Sequence, residues 1–227
     1  APLACIFLYD VAGKGRCGAY AGRPGVCRIY PFEIEDDAGR VRVGTTDYCE
    51  KGWLYDDGTV ALKNVSFEVA DGDFLVVIGL SGSGKSTLIR GISRLVEPTA
   101  GRVEIEGEDI LAATPKRMTE LRRSKIGMVF QHPDDQLFSP SVRDDVAFGP
   151  KNLGLSRDEV TVRVEQALAT TGVTELADRP PHHLSGGEKR MVSIAGVLAM
   201  QPKLIIYDEP SANLDIRSRR RLIRYLK

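Results

Sequence analysis

Gly79, Gly84, Lys85 and Ser86 stand in GLSGSGKST, residues 79–87, at the fixed positions of G-x-x-x-x-G-K-[ST]. Glycines let a backbone wrap an anion without Cβ clashes, so successive N–H groups converge on it. Ser81, Gly82, Ser83 and Thr87 complete the phosphate-binding loop. Lys85 supplies positive charge suited to β- and γ-phosphates, and the Ser86 hydroxyl is a hard oxygen ligand suited to Mg²⁺. A second chemical stretch is LIIYDEP, residues 204–210. Two acids closing an apolar strand are costly unless they work at its C-terminal edge, where open α/β sheets bind ligands. Asp208 reads as the Mg²⁺ holder and Glu209 as the base that polarises an attacking water near the γ-phosphate.

A third stretch, LSGGEKRM (184–191), starts a helix. Ser185 and Glu188 have the S-x-x-E spacing of a capping box. Met191, Ile194, Ala195 and Leu198 then recur on one helical face. Gly186 and Gly187 leave backbone N–H groups bare at the positive end of that helix, a place suited to an anion.

The elements that must hold these residues follow from hydrophobic period. Val65, Phe67 and Val69 alternate with polar residues as a half-buried strand, and Asp71-Gly72-Asp73 is a turn. Phe74 to Ile78 is an apolar run expected of a strand buried on both faces. Leu88, Ile89, Ile92, Leu95 and Val96 share one helical face after the glycine loop. Val103 and Ile105 alternate with Glu104 and Glu106, and Ile126 to Phe130 and Leu204 to Tyr207 are further apolar strands. Ser156 and Glu159 form a second capping box, opening a helix with Val160, Val164, Ala167 and Leu168 on one side. The stretch from about Asp134 to Ala199 reads as a mainly helical subdomain. Strands separated by helices predict a mainly parallel α/β sheet.

The chain has 227 residues, 42% apolar and 27% charged, with 31 basic and 31 acidic side chains. Zero net charge gives no global field to attract nucleic acid or an anionic membrane. The basic tail Arg217, Arg219, Arg220, Arg221, Arg224 and Lys227 is set against Leu222, Ile223 and Leu226 on one helical side, the pattern of a solvated helix face. The longest apolar run, Phe74 to Leu80, is too short to span a bilayer, and no signal peptide is read.

Together the loop, the Asp-Glu strand end and LSGGE resemble the ATP-binding subunits of ABC transporters, over about Trp53 to Lys227. The resemblance implies an α/β fold: a P-loop NTPase (RecA-like) core, an antiparallel β subdomain and a helical signature subdomain. It implies ATP and Mg²⁺ as ligands, and a second ATP-binding subunit, identical or not. Ser185 and the Gly186 and Gly187 amides would meet the γ-phosphate of ATP held by that second subunit. Glu188 departs from the family's usual glutamine, and either residue closes a capping box. Gln131 matches the glutamine that touches Mg²⁺ and senses the membrane partner, and Tyr55 the aromatic that stacks on adenine. Ser211 to Asp215 looks like the loop joining the two subunits. Residues Gln131 to Leu155 are similar to the ATPases of energy-coupling-factor and cobalt- or nickel-type importers. That implies a protein peripheral on the cytoplasmic side of the cell membrane, partnered by an integral membrane coupling subunit and a substrate-capture subunit. The cargo would be cobalt, nickel or a vitamin. The family's switch histidine would follow Lys227, so the chain reads as C-terminally truncated. Two alternatives stay open: a soluble, non-transport ABC ATPase, and a metal-cluster module fused to a remnant ATPase.

All four cysteines, Cys5, Cys17, Cys27 and Cys49, lie in the first fifty residues. The segment 1–52 lacks a clear period and reads as small and irregular. It resembles the C-terminal half of the YkgJ-type family, whose cysteines are proposed to chelate zinc or an iron–sulfur cluster. Thiolates suit either metal, while the long spacings leave free reduced thiols as the alternative.

Overall fold

The computed structural model describes residues 65–79 and 84–211, positions 214, 216, 219, 220 and 222, and four earlier strands by their backbone pairing. The chain divides into two compact units, Ala1–Arg122 and Arg123–Lys227.

The first unit contains β1 (Ala4–Asp10), β2 (Arg40–Gly44), β3 (Trp53–Leu54), β4 (Val60–Leu62), β5 (Phe67–Ala70) and β6 (Phe74–Gly79). Helix α1 (Lys85–Ile92), β7 (Arg102–Ile105), β8 (Glu108–Asp109) and α2 (Pro115–Ser124) follow. β6 pairs in parallel with β1, from Phe74 opposite Cys5 to Gly79 opposite Asp10. An antiparallel sheet runs β5–β2–β7–β8, and β3 pairs antiparallel with β4. Two strands, β1 and β2, therefore lie within the segment 1–52 that the sequence reads as irregular. Both pair with strands beyond Trp53, so their register is set by distant partners and not by a local period.

Three details of this unit depart from the sequence reading. The residues of β6 are half-buried, not buried on both faces. Among the described residues of this unit β6 pairs with β1 alone, and an edge strand leaves more of each residue accessible. Glu104, read as an outward position of β7, is buried and accepts a hydrogen bond from Arg102. Helix α1 stops at Ile92, leaving Leu95 49% and Val96 37% exposed. Arg94 turns to φ 51°, and the Leu95 N–H closes on the Arg90 carbonyl at 2.7 Å. The carbonyls of Ser93 and Arg94 accept from Arg122, while Arg94 Nη1 reaches the Ile110 carbonyl at 3.1 Å. Two arginines thus finish a helix end that usually takes a glycine.

The second unit contains β9 (Ile126–Val129), α3 (Val142–Asn152), α4 (Arg157–Thr171), α5 (Gly186–Ala199) and β10 (Leu204–Tyr207), with three short 3-10 turns between them. β9 and β10 are parallel neighbours, Ile126 opposite Leu204 through Val129 opposite Tyr207. All four β10 residues are buried, as an all-apolar parallel strand requires. The predicted α4 face is borne out: Val160, Val164, Ala167 and Leu168 are all buried. Met191, Ile194 and Ala195 of α5 are buried too, each large side chain contributing roughly 1.5–3 kcal/mol, while Leu198 of the same predicted face is half-buried. α3, α4 and α5 pack on one another and α5 lies against β9. That last approach needs Gly127, where a Cβ would stand 2.4 Å from Val197 Cγ1 and 2.9 Å from Pro202 Cγ. Beyond β10, Leu222 is buried while Arg219 and Arg220 are exposed, in keeping with the amphipathic reading of the basic tail.

Candidate functional site

In the first unit the glycine loop leads from β6 into α1. Gly84 sits at φ 89°, ψ 2° as the N-cap, a left-handed conformation that favours glycine, and it caps without any side-chain hydrogen bond. No acid occupies the first turn of α1, so the helix's positive end is left for an outside anion. Lys85 is only 7% exposed. Its Nζ donates to the Gly79 carbonyl at 3.0 Å, at the C-terminal end of β6. Ser86 and Thr87 are half-buried on the same first turn. Tyr55, Ser81, Gly82 and Ser83 lie outside the described residues.

In the second unit the parallel pairing of β9 and β10 brings two sequence-predicted groups together at their C-terminal ends. Asp208, 4% exposed, donates its N–H to the Val129 carbonyl at 3.0 Å. Glu209 follows at φ 44°, a conformation uncommon for a residue with a side chain and costing about 1 kcal/mol or more. Such strain is retained where the rest of the fold fixes it, and active sites are a common location. The Glu209 carboxylate Oε2 accepts from Gln131 Nε2 at 3.0 Å. A glutamine and a glutamate 78 residues apart are thereby paired beside a buried aspartate.

The capping box of α5 forms as the sequence predicts. Ser185 N–H and Oγ both donate to Glu188 Oε2, at 2.8 and 2.7 Å, and Ser185 Oγ accepts from Glu188 N–H at 3.4 Å. Gly186 is exposed, has no positive φ, and a Cβ there would meet nothing within 4 Å. The fold of this chain does not demand glycine at that position, and glycine in a helix costs roughly 0.5–1 kcal/mol against alanine. The bare backbone therefore suits something that approaches from outside the chain.

One residue of this region escapes sequence reasoning. Arg190, 1% exposed, donates through Nη1 and Nη2 to the carbonyls of Phe130 and Gln131. Burial pushes its pKa down, while the nearby Asp208 carboxylate opposes that. The available signal is weak: Arg190 is the last of three consecutive charged residues, Glu188, Lys189 and Arg190, directly before the apolar face Met191, Ile194 and Ala195.

The description "ABC transporter" matches residues 62–212. The chain belongs to the ABC transporter family. It is an ATP-binding cassette, with the family's P-loop NTPase fold. An energy-coupling factor transporter ATP-binding protein EcfA of Methanosphaera stadtmanae is 49% identical over 161 residues, 71% of this chain and 57% of that protein. The EcfA of Methanocaldococcus jannaschii matches equally, at 49% over 161 residues, with the same shares of 71% and 57%. The chain thus spans about three-fifths of the length of the curated relatives it matches. Among solved structures, CbiO1 of Clostridium perfringens, described as part of the ABC transporter complex CbiONQ, aligns with TM-score 0.73 and 41% identity, covering 82% of this chain and 71% of that one. A dimeric ATP-binding cassette in a post-hydrolysis state with ADP and Pi aligns with TM-score 0.69 and 29% identity, over 82% of this chain and 80% of that one.

The comparisons do not bear out the truncation read from the missing switch histidine. Nor do they support zinc or an iron–sulfur cluster. Cys17, Cys27 and Cys49 lie outside the described residues, Cys5 is placed only by the backbone of β1, and no metal-binding group of three or more ligands occurs among the described residues.

Proposed function

We propose that this ATP-binding cassette binds and hydrolyses ATP to power an importer of the energy-coupling-factor or cobalt type. The observation that carries the catalytic part is the Gln131–Glu209 hydrogen bond of 3.0 Å at the ends of β9 and β10. Glu209 is the general base: its carboxylate orients the attacking water and takes the proton as the water bonds to the γ-phosphorus. The bond to the β,γ-bridging oxygen breaks and ADP leaves. Gln131 holds the carboxylate ready. Lys85 and the loop amides hold the β- and γ-phosphates. Tyr55 stacks on adenine, and Ser81, Gly82, Ser83, Gly84 and Thr87 line the phosphates.

The donors fit a hard cation. The Ser86 hydroxyl, the amide oxygen of Gln131 and the buried carboxylate of Asp208 are the oxygen types Mg²⁺ takes, and a buried aspartate at a strand end is suited to holding one. When bound, Mg²⁺ neutralises charge on the phosphates. Ser185 and the Gly186 and Gly187 amides serve the nucleotide of a second ATP-binding subunit, consistent with the unneeded glycine at 186.

The ATP-binding domain is assigned to residues 53–227, which contain the whole family match. The cassette docks on the cytoplasmic side of the cell membrane against an integral coupling subunit, beside a substrate-capture subunit. The names of the EcfA and CbiO1 relatives support that setting. Among the described residues no helix is long and apolar enough to cross a membrane. Cobalt is the favoured cargo, with nickel or a vitamin as alternatives.

Thermal unfolding with and without Mg-ATP tests the nucleotide site. At about 100 times the Kd, the ligand adds roughly 2.7 kcal/mol and raises Tm by about 5–10 °C. Lys85→Ala is expected to abolish the shift. An equal shift in that variant would remove Lys85 from the site.

A further inference from the structure

We propose that Arg190 is a positioning residue for hydrolysis: it fastens the backbone of Gln131 to the N-terminal part of α5 and so holds the Gln131–Glu209 pair in place. This rests on the reading of Gln131 and Glu209 given above.

β9 ends at Val129, and the chain then leaves the sheet. The next two carbonyls, Phe130 and Gln131, both accept from the Arg190 guanidinium. Phe130 and Gln131 are half-buried, their carbonyls no longer have a sheet partner, and a planar fork of donors can serve two neighbouring ones at once. The next turn is tied to the same helix: Gln136 accepts from Phe130 N–H at 3.3 Å and donates to the Ser193 carbonyl at 3.3 Å. Lys189 adds an ion pair with Asp134 at 2.5 Å. The path from α5 to the catalytic carboxylate is therefore continuous: Arg190 to the Gln131 backbone, and the Gln131 side chain to Glu209.

Packing alone does not account for the residue. Arg190 Nε has no hydrogen-bond partner among the described residues. A buried guanidinium with an unmatched N–H is an expensive way to fill space that a methionine would fill. What arginine adds is the pair of directed bonds to 130 and 131, together with a positive charge that Asp208 feels. Ser185 to Gly187, at the start of the same helix, lie three to five residues before Arg190, so a displacement of that helix end reaches Glu209 through two side chains, Arg190 and Gln131.

The test is steady-state Mg-ATP hydrolysis by the full-length protein and by Arg190→Met, Arg190→Lys, Gln131→Ala, Glu209→Gln and the Arg190→Met/Gln131→Ala double variant. Amide exchange across residues 129–137 is followed in the same proteins. Arg190→Met is expected to lower kcat about 10- to 100-fold, the scale of a misplaced catalytic group, with KM changed less than about twofold. Arg190→Lys recovers part of the loss. The double variant is no slower than Gln131→Ala, because Arg190 acts through Gln131. Exchange rises at 130–132 in Arg190→Met and not in α4. Losses that multiply in the double variant, an unchanged kcat, or unchanged exchange at 130–132 would overturn the proposal. So would loss of folding in both single Arg190 variants, which would assign Arg190 to the fold alone. An unaffected Gln131→Ala would leave Arg190 nothing to position. Failure of the base itself would show separately, as hydrolysis surviving in Glu209→Gln.

Discussion

The starts of α1 and α4 solve the same problem in opposite ways. Both leave N–H groups without partners inside the helix. At α4, Ser156 Oγ accepts from Glu159 N–H at 3.3 Å and Glu159 Oε2 accepts from Ser156 N–H at 3.0 Å, so the helix satisfies itself. Gly172 in the left-handed region closes its other end. At α1 the N-cap is Gly84, which has no side chain to offer, and the first turn carries no acid. The lesson is that a helix end meant for a ligand is recognised by what its own residues decline to do. The start of α5 lies between the two. Its box is closed by Ser185 and Glu188, yet the exposed Gly186 beside it is required by nothing in this chain.

Substitutions at the two ends should therefore separate cleanly. The largest effect is expected from Gly84→Val. A β-branched residue at φ 89° costs about 1–2 kcal/mol in the fold. It also misdirects the amides at the loop, so Mg-ATP affinity by calorimetry is expected to fall at least about 100-fold. Retained affinity would break the comparison. Ser156→Ala is expected to lower stability by about 1 kcal/mol in urea titration and to leave Mg-ATP affinity unchanged. A change in affinity there would mean that the helix starts are not independent.

The smallest effect concerns pH. Hydrogen bonds from Ser156 hold the Glu159 carboxyl below its usual range. A carboxylate with a depressed folded-state pKa stabilises at pH above the ordinary carboxylate value, about 4.3, and loses that contribution as pH falls through the depressed value. Glu159→Gln is expected to flatten the acid-side slope of stability between about pH 5 and 3 and to lower the neutral-pH plateau by about the amount the parent chain loses across that window. An unchanged slope would remove the charge from the capping account.

Much of this was legible in the sequence, and the unread part has a common cause. The glycine loop, both capping boxes, the α4 face and the Asp208–Glu209 strand end depend on residues within a few positions of one another, so their period or spacing shows directly. The end of α1 departs from its periodic pattern because its cap is assembled from Arg94 and from Arg122, 28 to 29 residues further on. Arg190 was missed because its partners lie 59 and 60 residues earlier. The Gln131–Glu209 bond spans 78 residues and follows only from β9 and β10 being parallel neighbours. β1 and β2 were invisible for the same reason, since their partners set their course.

The central claim is that Glu209 is the base of an ATPase whose nucleotide site is built by other residues. It is tested most directly by measuring binding and hydrolysis of Mg-ATP side by side in the full-length protein and in Glu209→Gln. Hydrolysis is expected to fall about 10²- to 10⁴-fold while the Kd stays within about threefold. Hydrolysis at an undiminished rate, or affinity lost together with activity, would contradict that assignment.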